Sequence, residues 1–347
     1  MKTHVSISEL CFSRWRARLV SAVAIVLVLL AAHWLLAAEP NSNSSAAPHL
    51  DPARFSRAII FGDSLSDTGN FYSLTGGYPP PPYANGRFSN GSLWVEYLAD
   101  DLGTVLVPGD NYAVAGAMTG HGNSNDGFLG LIYPGLQDEL AAFEATEPPG
   151  GADPQALYII WAGANDIFVA LVSQGDPEAV IRDGVANTVH AVQLLRAGGA
   201  EHIMVPNIPD LGLTPYGLAS GQSDAITRLC AAYNRALKSA LLALSDAGAV
   251  TIRPDAFATL RTMVRHQAEF DFTNVTQPYL AVGGDPDAFL FWDAVHPTTR
   301  AHEVLADEAL DSVIHYLISG REEGTATAEK ANIEPLNVQL STSNFQH

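Results

Sequence analysis

Residues 59–70 read IIFGDSLSDTGN: Ile59-Ile60-Phe61 run into Gly62-Asp63-Ser64, and the chain then turns through small polar residues. A short apolar run bounded by turn residues reads as a buried strand of a parallel sheet. A serine at the carboxyl end of such a strand stands where ligands bind in open α/β sheets. The bland alternative is that Gly, Asp and Ser merely end a strand in a turn. The segment is not a G-x-S-x-G elbow, because Ser66 occupies the place of the second glycine.

Working outward, similar runs recur at Ala58–Phe61, Tyr112–Ala115, Leu157–Trp161, His202–Val205 and Val250–Ile252, each bounded by Gly, Pro, Asn or Asp. Helical patterns lie between them. One covers Ser92–Leu102. Val185, Val189, Val192 and Leu195 share a face of a second, which Gly198-Gly199 stops. Ile226, Cys230, Tyr233, Leu237, Leu241 and Leu244 mark a long amphipathic helix, and a last one spans roughly Thr299–Ile318. Strands alternating with helices predict an α/β fold whose mainly parallel sheet of about five strands is covered on both faces.

The 347 residues carry 37 acidic against 18 basic side chains, which argues against nucleic acid as a partner. Lys2, Arg14, Arg16 and Arg18 precede an uncharged run from Leu19 to Ala38 that ends in small residues. That pattern predicts a signal peptide over residues 1–38 or, since the run is long enough to span a bilayer, an N-terminal membrane anchor. Either way the remainder is expected to be exported. Without residues 1–38 the chain keeps 14 basic and 36 acidic residues, a net −22, and a single cysteine, Cys230. Residues 39–53 read as a linker, 54–320 as one catalytic domain and 321–347 as a flexible tail.

A serine hydroxyl needs a base, and the base needs an orienting carboxylate. Both occur in FWDAVHPTTRAH, where Asp293 and His296 are three apart and would face one side of a helical turn. A lone histidine before proline is otherwise an ordinary turn residue, and His121 in HGNSNDG is the rival base. A tetrahedral oxyanion also needs hydrogen-bond donors. Gly116 in NYAVAGAMTG and Asn165 in WAGAND both follow apolar strands; each alone reads equally as turn chemistry.

Taken together, GDSLSDTGN, NYAVAGA, GAND and DAVHP resemble, in order and spacing, the four sequence blocks of the GDSL, or SGNH, serine hydrolases, over about Ile59 to His302. PPYANGRFSNGSLWVEYLA and VPNIPDLGLTP are similar to the secreted esterase/lipase, lecithinase and haemolysin-like branch. The resemblance implies a three-layer α/β/α sandwich like flavodoxin and catalysis without metal or cofactor. It implies Ser64 as nucleophile, Asp293 and His296 as its partners, and Ser64, Gly116 and Asn165 as the oxyanion hole. Ala115 stands where many relatives have a second glycine, which leaves Gly116 itself intact.

The expected activity is hydrolysis of carboxylic esters, lipids or small acyl esters, through an acyl-enzyme. Two alternatives stay open: transfer of the acyl group to an alcohol, and a non-catalytic exported binding module. The negative charge disfavours anionic membranes but leaves transient contact with a lipid surface open. YPPPPYANGRF, Tyr78–Phe88, could wall a substrate pocket or form a rigid surface loop, whereas Cys230 on an apolar helix face reads as a core thiol. Oligomeric state is not legible in the sequence.

Overall fold

A computed structural model describes residues 55–331 without 105, 108, 147–150 and 247. The expected signal or anchor, the linker and tail residues 332–347 lie outside the described residues. Strands β1 (Ala58–Gly62), β2 (Leu157–Trp161), β3 (His202–Met204) and β4 (Thr251–Ile252) form a parallel sheet in that spatial order. The expected strand at Tyr112–Ala115 is reduced to a single parallel bridge, Asn111 to Ile60, flanked by N–H bonds from Tyr112 to Ile60 and from Val114 to Gly62. The ladder goes no further because β1 itself ends at Gly62, while the N–H of Ala115, which alternation turns away from β1, is accepted by Asp67. Counting that segment, the order is 2-1-3-4-5, the flavodoxin-like winding.

Side-chain alternation along the strands explains the layers. Ile60, Leu157, Ile159 and Trp161 point to one face and meet three helices there: α1 (Trp94–Asp101), α2 (Ala256–Arg265) and α3 (Thr299–Ala331). Ile59, Phe61, Tyr158 and Ile160 point to the other, where the helices Leu136–Thr146, Pro177–Gly198 and Ser223–Asp246 close the second core. Pro177–Gly198 starts on an Asp176 cap with Pro177 behind it, and it ends at left-handed Gly199, the stop that the sequence anticipates.

Further features differ from the sequence expectation. A further parallel pair, β5 (Asn274–Pro278) and β6 (Phe289–Phe291), was not foreseen, because NVTQP has no apolar run to announce it. The last helix extends past Ile318 to Ala331, through a stretch rich in the strong helix formers Ala, Glu, Arg and Lys. Among the described residues no helix is long and apolar enough to cross a membrane.

Candidate active site

Strand β1 ends at Gly62, whose φ is +146° and whose missing side chain leaves room for the Trp161 carbonyl of β2. The Asp63 carbonyl then accepts the N–H groups of Ser66 and Asp67, a tight turn that lifts Ser64 off the sheet edge. Asp67 is buried beneath it. Its Oδ1 accepts the N–H groups of Gly69 and Asn70, and its Oδ2 those of Phe71 and Ala115. One carboxylate therefore fixes the serine turn against the segment that carries Gly116. Glu139 does the same one step earlier, accepting from Gly62 at 2.8 Å and Val114 at 3.1 Å.

Asp293 and His296 arrive from the other end of the chain, in the loop after β6. Their arrangement departs from the expected helical turn. Asp293 Oδ1 accepts the N–H groups of Val295 and His296 in an Asx turn, and α3 begins only at Thr299, beyond Pro297. A proline at 297 biases His296 away from helical geometry. His296 Nδ1 lies 2.7 Å from Asp293 Oδ2, and His296 Nε2 lies 2.8 Å from Ser64 Oγ. The three side chains, 232 positions apart in sequence at their extremes, form one hydrogen-bonded line.

Gly116 takes φ +85°, and a side chain there would strike Asn123, Ser124 and Asn125, which pack over it. Asn123 and Asn125 both donate to the Ala115 carbonyl, Ser124 N–H donates to the Gly116 carbonyl, and Ser124 Oγ donates to Asn165 Oδ1. That last bond turns the Asn165 amide nitrogen inward, where it donates to Asp63 Oδ2 and to the Ala117 carbonyl. Ser64, Gly116, Asn165 and His296 line one cavity of about 140 Å³. Its floor is apolar and deep: Leu260, Met263, Leu290 and Leu305 are all buried.

The electrostatics follow from this burial. Burial alone would raise the Asp293 carboxyl, but the facing His296 and two backbone N–H bonds outweigh it and hold it at about 2. Burial would lower the His296 imidazolium, yet Asp293 and, more remotely, Asp63 leave it above its ordinary value. Asp63 is pushed up to about 7 and Glu139 well above the carboxylate range, both by burial.

Not all of this was visible in the sequence. Tyr83, from the proline-rich stretch, donates to Asp293 Oδ2 at 2.9 Å, a contact across 210 positions that no local pattern reveals. Glu139 could have been found, since it sits on the apolar stripe Leu136, Leu140, Phe143 where a charge is out of place. The rival base His121 bonds Asp138 at the surface and does not line the cavity. Cys230 is buried in the second core, its thiol pushed up to about 12 by burial.

Comparisons with known proteins place the chain in a family. The family model described as GDSL-like lipase/acylhydrolase matches residues 59–309. A phosphatidylcholine-sterol acyltransferase of Aeromonas hydrophila is 27% identical, over 74% of this chain and 89% of its own. A thermolabile hemolysin of Vibrio parahaemolyticus is 26% identical, over 76% of this chain and 65% of its own. Among solved structures, an acetylxylan esterase of Geobacillus stearothermophilus superposes with a TM-score of 0.45 at 17% identity, covering 75% of this chain and 95% of that one.

Proposed function

Because the chain belongs to the GDSL-like lipase/acylhydrolase family and is a carboxylic-ester hydrolase, we propose that Ser64 is its nucleophile, His296 its general base and Asp293 the group that orients the base. The observation that carries this reading is the unbroken line Ser64 Oγ, His296 Nε2, His296 Nδ1, Asp293 Oδ2, with links of 2.8 and 2.7 Å, at the mouth of an apolar cavity. Ser64 Oγ attacks the ester carbonyl carbon as its proton passes to His296 Nε2. The backbone N–H groups of Ser64 and Gly116 receive the oxyanion, and the Asn165 amide joins them by turning one of its two hydrogens away from Asp63 Oδ2 or the Ala117 carbonyl. Collapse breaks the bond to the alcohol oxygen, which takes the proton from His296; a water then repeats the sequence and frees the acid.

The cavity floor favours an acyl chain over a sugar, since its deepest residues offer only apolar contact. The basic and apolar pattern of residues 1–38 supports export of the catalytic domain. One relative is named an acyltransferase, and the same acyl-enzyme can pass to an alcohol; product analysis with a competing alcohol separates the two outcomes. The direct test of the nucleophile is labelling with a fluorophosphonate. Wild type is expected to be labelled and Ser64→Ala not; equal labelling of both rejects the assignment.

Two pH results are expected. General-base action requires neutral His296, whose proton affinity is raised, so kcat/KM is expected to fall with decreasing pH through a midpoint above 6.5. An acid limb at or below that value contradicts the base assignment. Asp293 Oδ2 is shared between His296 and Tyr83. Tyr83→Phe returns that oxygen wholly to the imidazole, so the acid limb is expected to move to higher pH still; a merely structural role for Tyr83 leaves it in place.

A further inference from the structure

Two stretches beside the cavity, residues 68–86 and 127–137, contain no charged side chain. The second forms a closed loop. Asp126 at its neck accepts the N–H groups of Asn123 and Tyr133, Tyr133 Oη donates to the Phe128 carbonyl, and Gly127 N–H donates to the Leu131 carbonyl. So tied, the loop aims its apolar residues outward. Ile132 is 80% and Leu129 62% exposed, with Leu131 exposed between them. Leu129 takes φ +54°, a left-handed conformation uncommon for a branched side chain.

The two stretches meet through Phe128, which packs on Tyr78 at 5.0 Å and on Phe71 at 6.2 Å. Phe71 packs on Phe88, and Phe88 on the His296 ring at 5.1 Å. Aromatic contacts thus run without a break from the catalytic imidazole to the exposed loop. The flanking charges are already committed: Asp126 to the loop neck and Arg87 to Glu96. Clustered exposed apolar side chains on a rigid loop mark an interaction surface. Neither stretch carries a cation to meet anionic headgroups, so the surface it fits has no net charge.

We propose that the loop Gly127–Pro134, together with Tyr78 and its neighbours, is a docking surface for a lipid layer without net charge, zwitterionic or neutral, which brings ester bonds to the cavity mouth. The inference rests on the ester-hydrolase reading for its purpose, but docking can be read without turnover. An environment-sensitive dye on Ile132→Cys, in a full chain also carrying Cys11→Ser, reports burial of the loop itself. Mixing with pure phosphatidylcholine vesicles is expected to shift its emission to the blue. In parallel, Leu129→Asp with Ile132→Asp is expected to lower turnover of a long-chain ester dispersed in those vesicles by about tenfold or more, from the lost burial of two large aliphatic groups. Hydrolysis of a water-soluble acetate ester is expected to stay unchanged, because neither residue lines the cavity.

No shift with phosphatidylcholine, or a shift only when anionic lipid is added, overturns the proposal. So does a blue shift that grows with protein concentration in the absence of vesicles, which assigns the surface to a second copy of the chain. Equal loss on soluble and dispersed esters makes the loop part of the fold's support and also overturns it. If the labelled chain shifts on vesicles but wild type hydrolyses neither ester, the ester-hydrolase reading fails and the docking surface stands.

Discussion

Ser64→Ala is expected to lower kcat by about 10⁶-fold while leaving the thermal transition unchanged. The side chain is half-buried at a turn held by its neighbours: by backbone bonds from Ser66 and Asp67 to Asp63, and by the Asp67 carboxylate. Removing one hydroxyl therefore disturbs no support. It removes the only atom that lies both at the cavity mouth and 2.8 Å from His296 Nε2 among the described contacts. Steady-state turnover of a soluble acetate ester checks the result. Activity within tenfold of wild type in a folded variant means that another group attacks the ester.

The second large effect is expected at Asp293→Asn, about 10⁴-fold in kcat, and the structure gives the reason. Oδ1 accepts two backbone N–H groups, from Val295 and His296. In the variant the amide oxygen must keep that position, since an amide nitrogen has no lone pair to offer them. The NH₂ group then replaces Oδ2, where His296 Nδ1 and the Tyr83 hydroxyl both donate to the carboxylate. Facing a donor, Nδ1 must give up its proton and Nε2 must hold one, so the imidazole can no longer accept from Ser64. Raising the pH does not repair a wrong tautomer. Rescue of full activity at high pH argues instead that Asp293 acts only by its charge.

How far the sequence reached differs between the parts of this site. Ile59–Ser64 was readable because a buried strand and a tight turn are local events, set by adjacent residues. Gly116 and Asn165 were readable for the same reason, each following an apolar strand. The relation of Asp293 to His296 was anticipated with the wrong backbone. Spacing by three fits a helix, yet Pro297 and two N–H groups seeking an acceptor make an Asx turn that brings the same side chains together. Tyr83 to Asp293, Asp67 to Ala115 and Ser124 to Asn165 are contacts across 210, 48 and 41 positions. Their partners are chosen by the closed fold, so no window of sequence contains both halves of the contact. The short fifth strand follows the same logic: local apolarity at Tyr112–Ala115 favours a ladder, but its length is set by where the distant partner β1 ends, at Gly62.

The buried acids around β1 set catalysis and stability against each other. With Asp63 at about 7 against an ordinary 3.8, and Glu139 also raised, the folded chain holds protons that the unfolded chain releases as pH climbs through that interval. These two groups therefore favour the native state most at the acid end and least above neutrality. Asp293 works in the opposite sense only as pH falls from 3.8 toward 2, whereas buried His302, lowered from 6.5 to about 3, opposes them through the mildly acid range itself. Turnover has the reverse demand, because the base must shed its proton. With His296 as the proposed base, mild acid silences turnover while Asp63 and Glu139 hold their protons and favour the native state, and a return to neutral pH reverses both contributions.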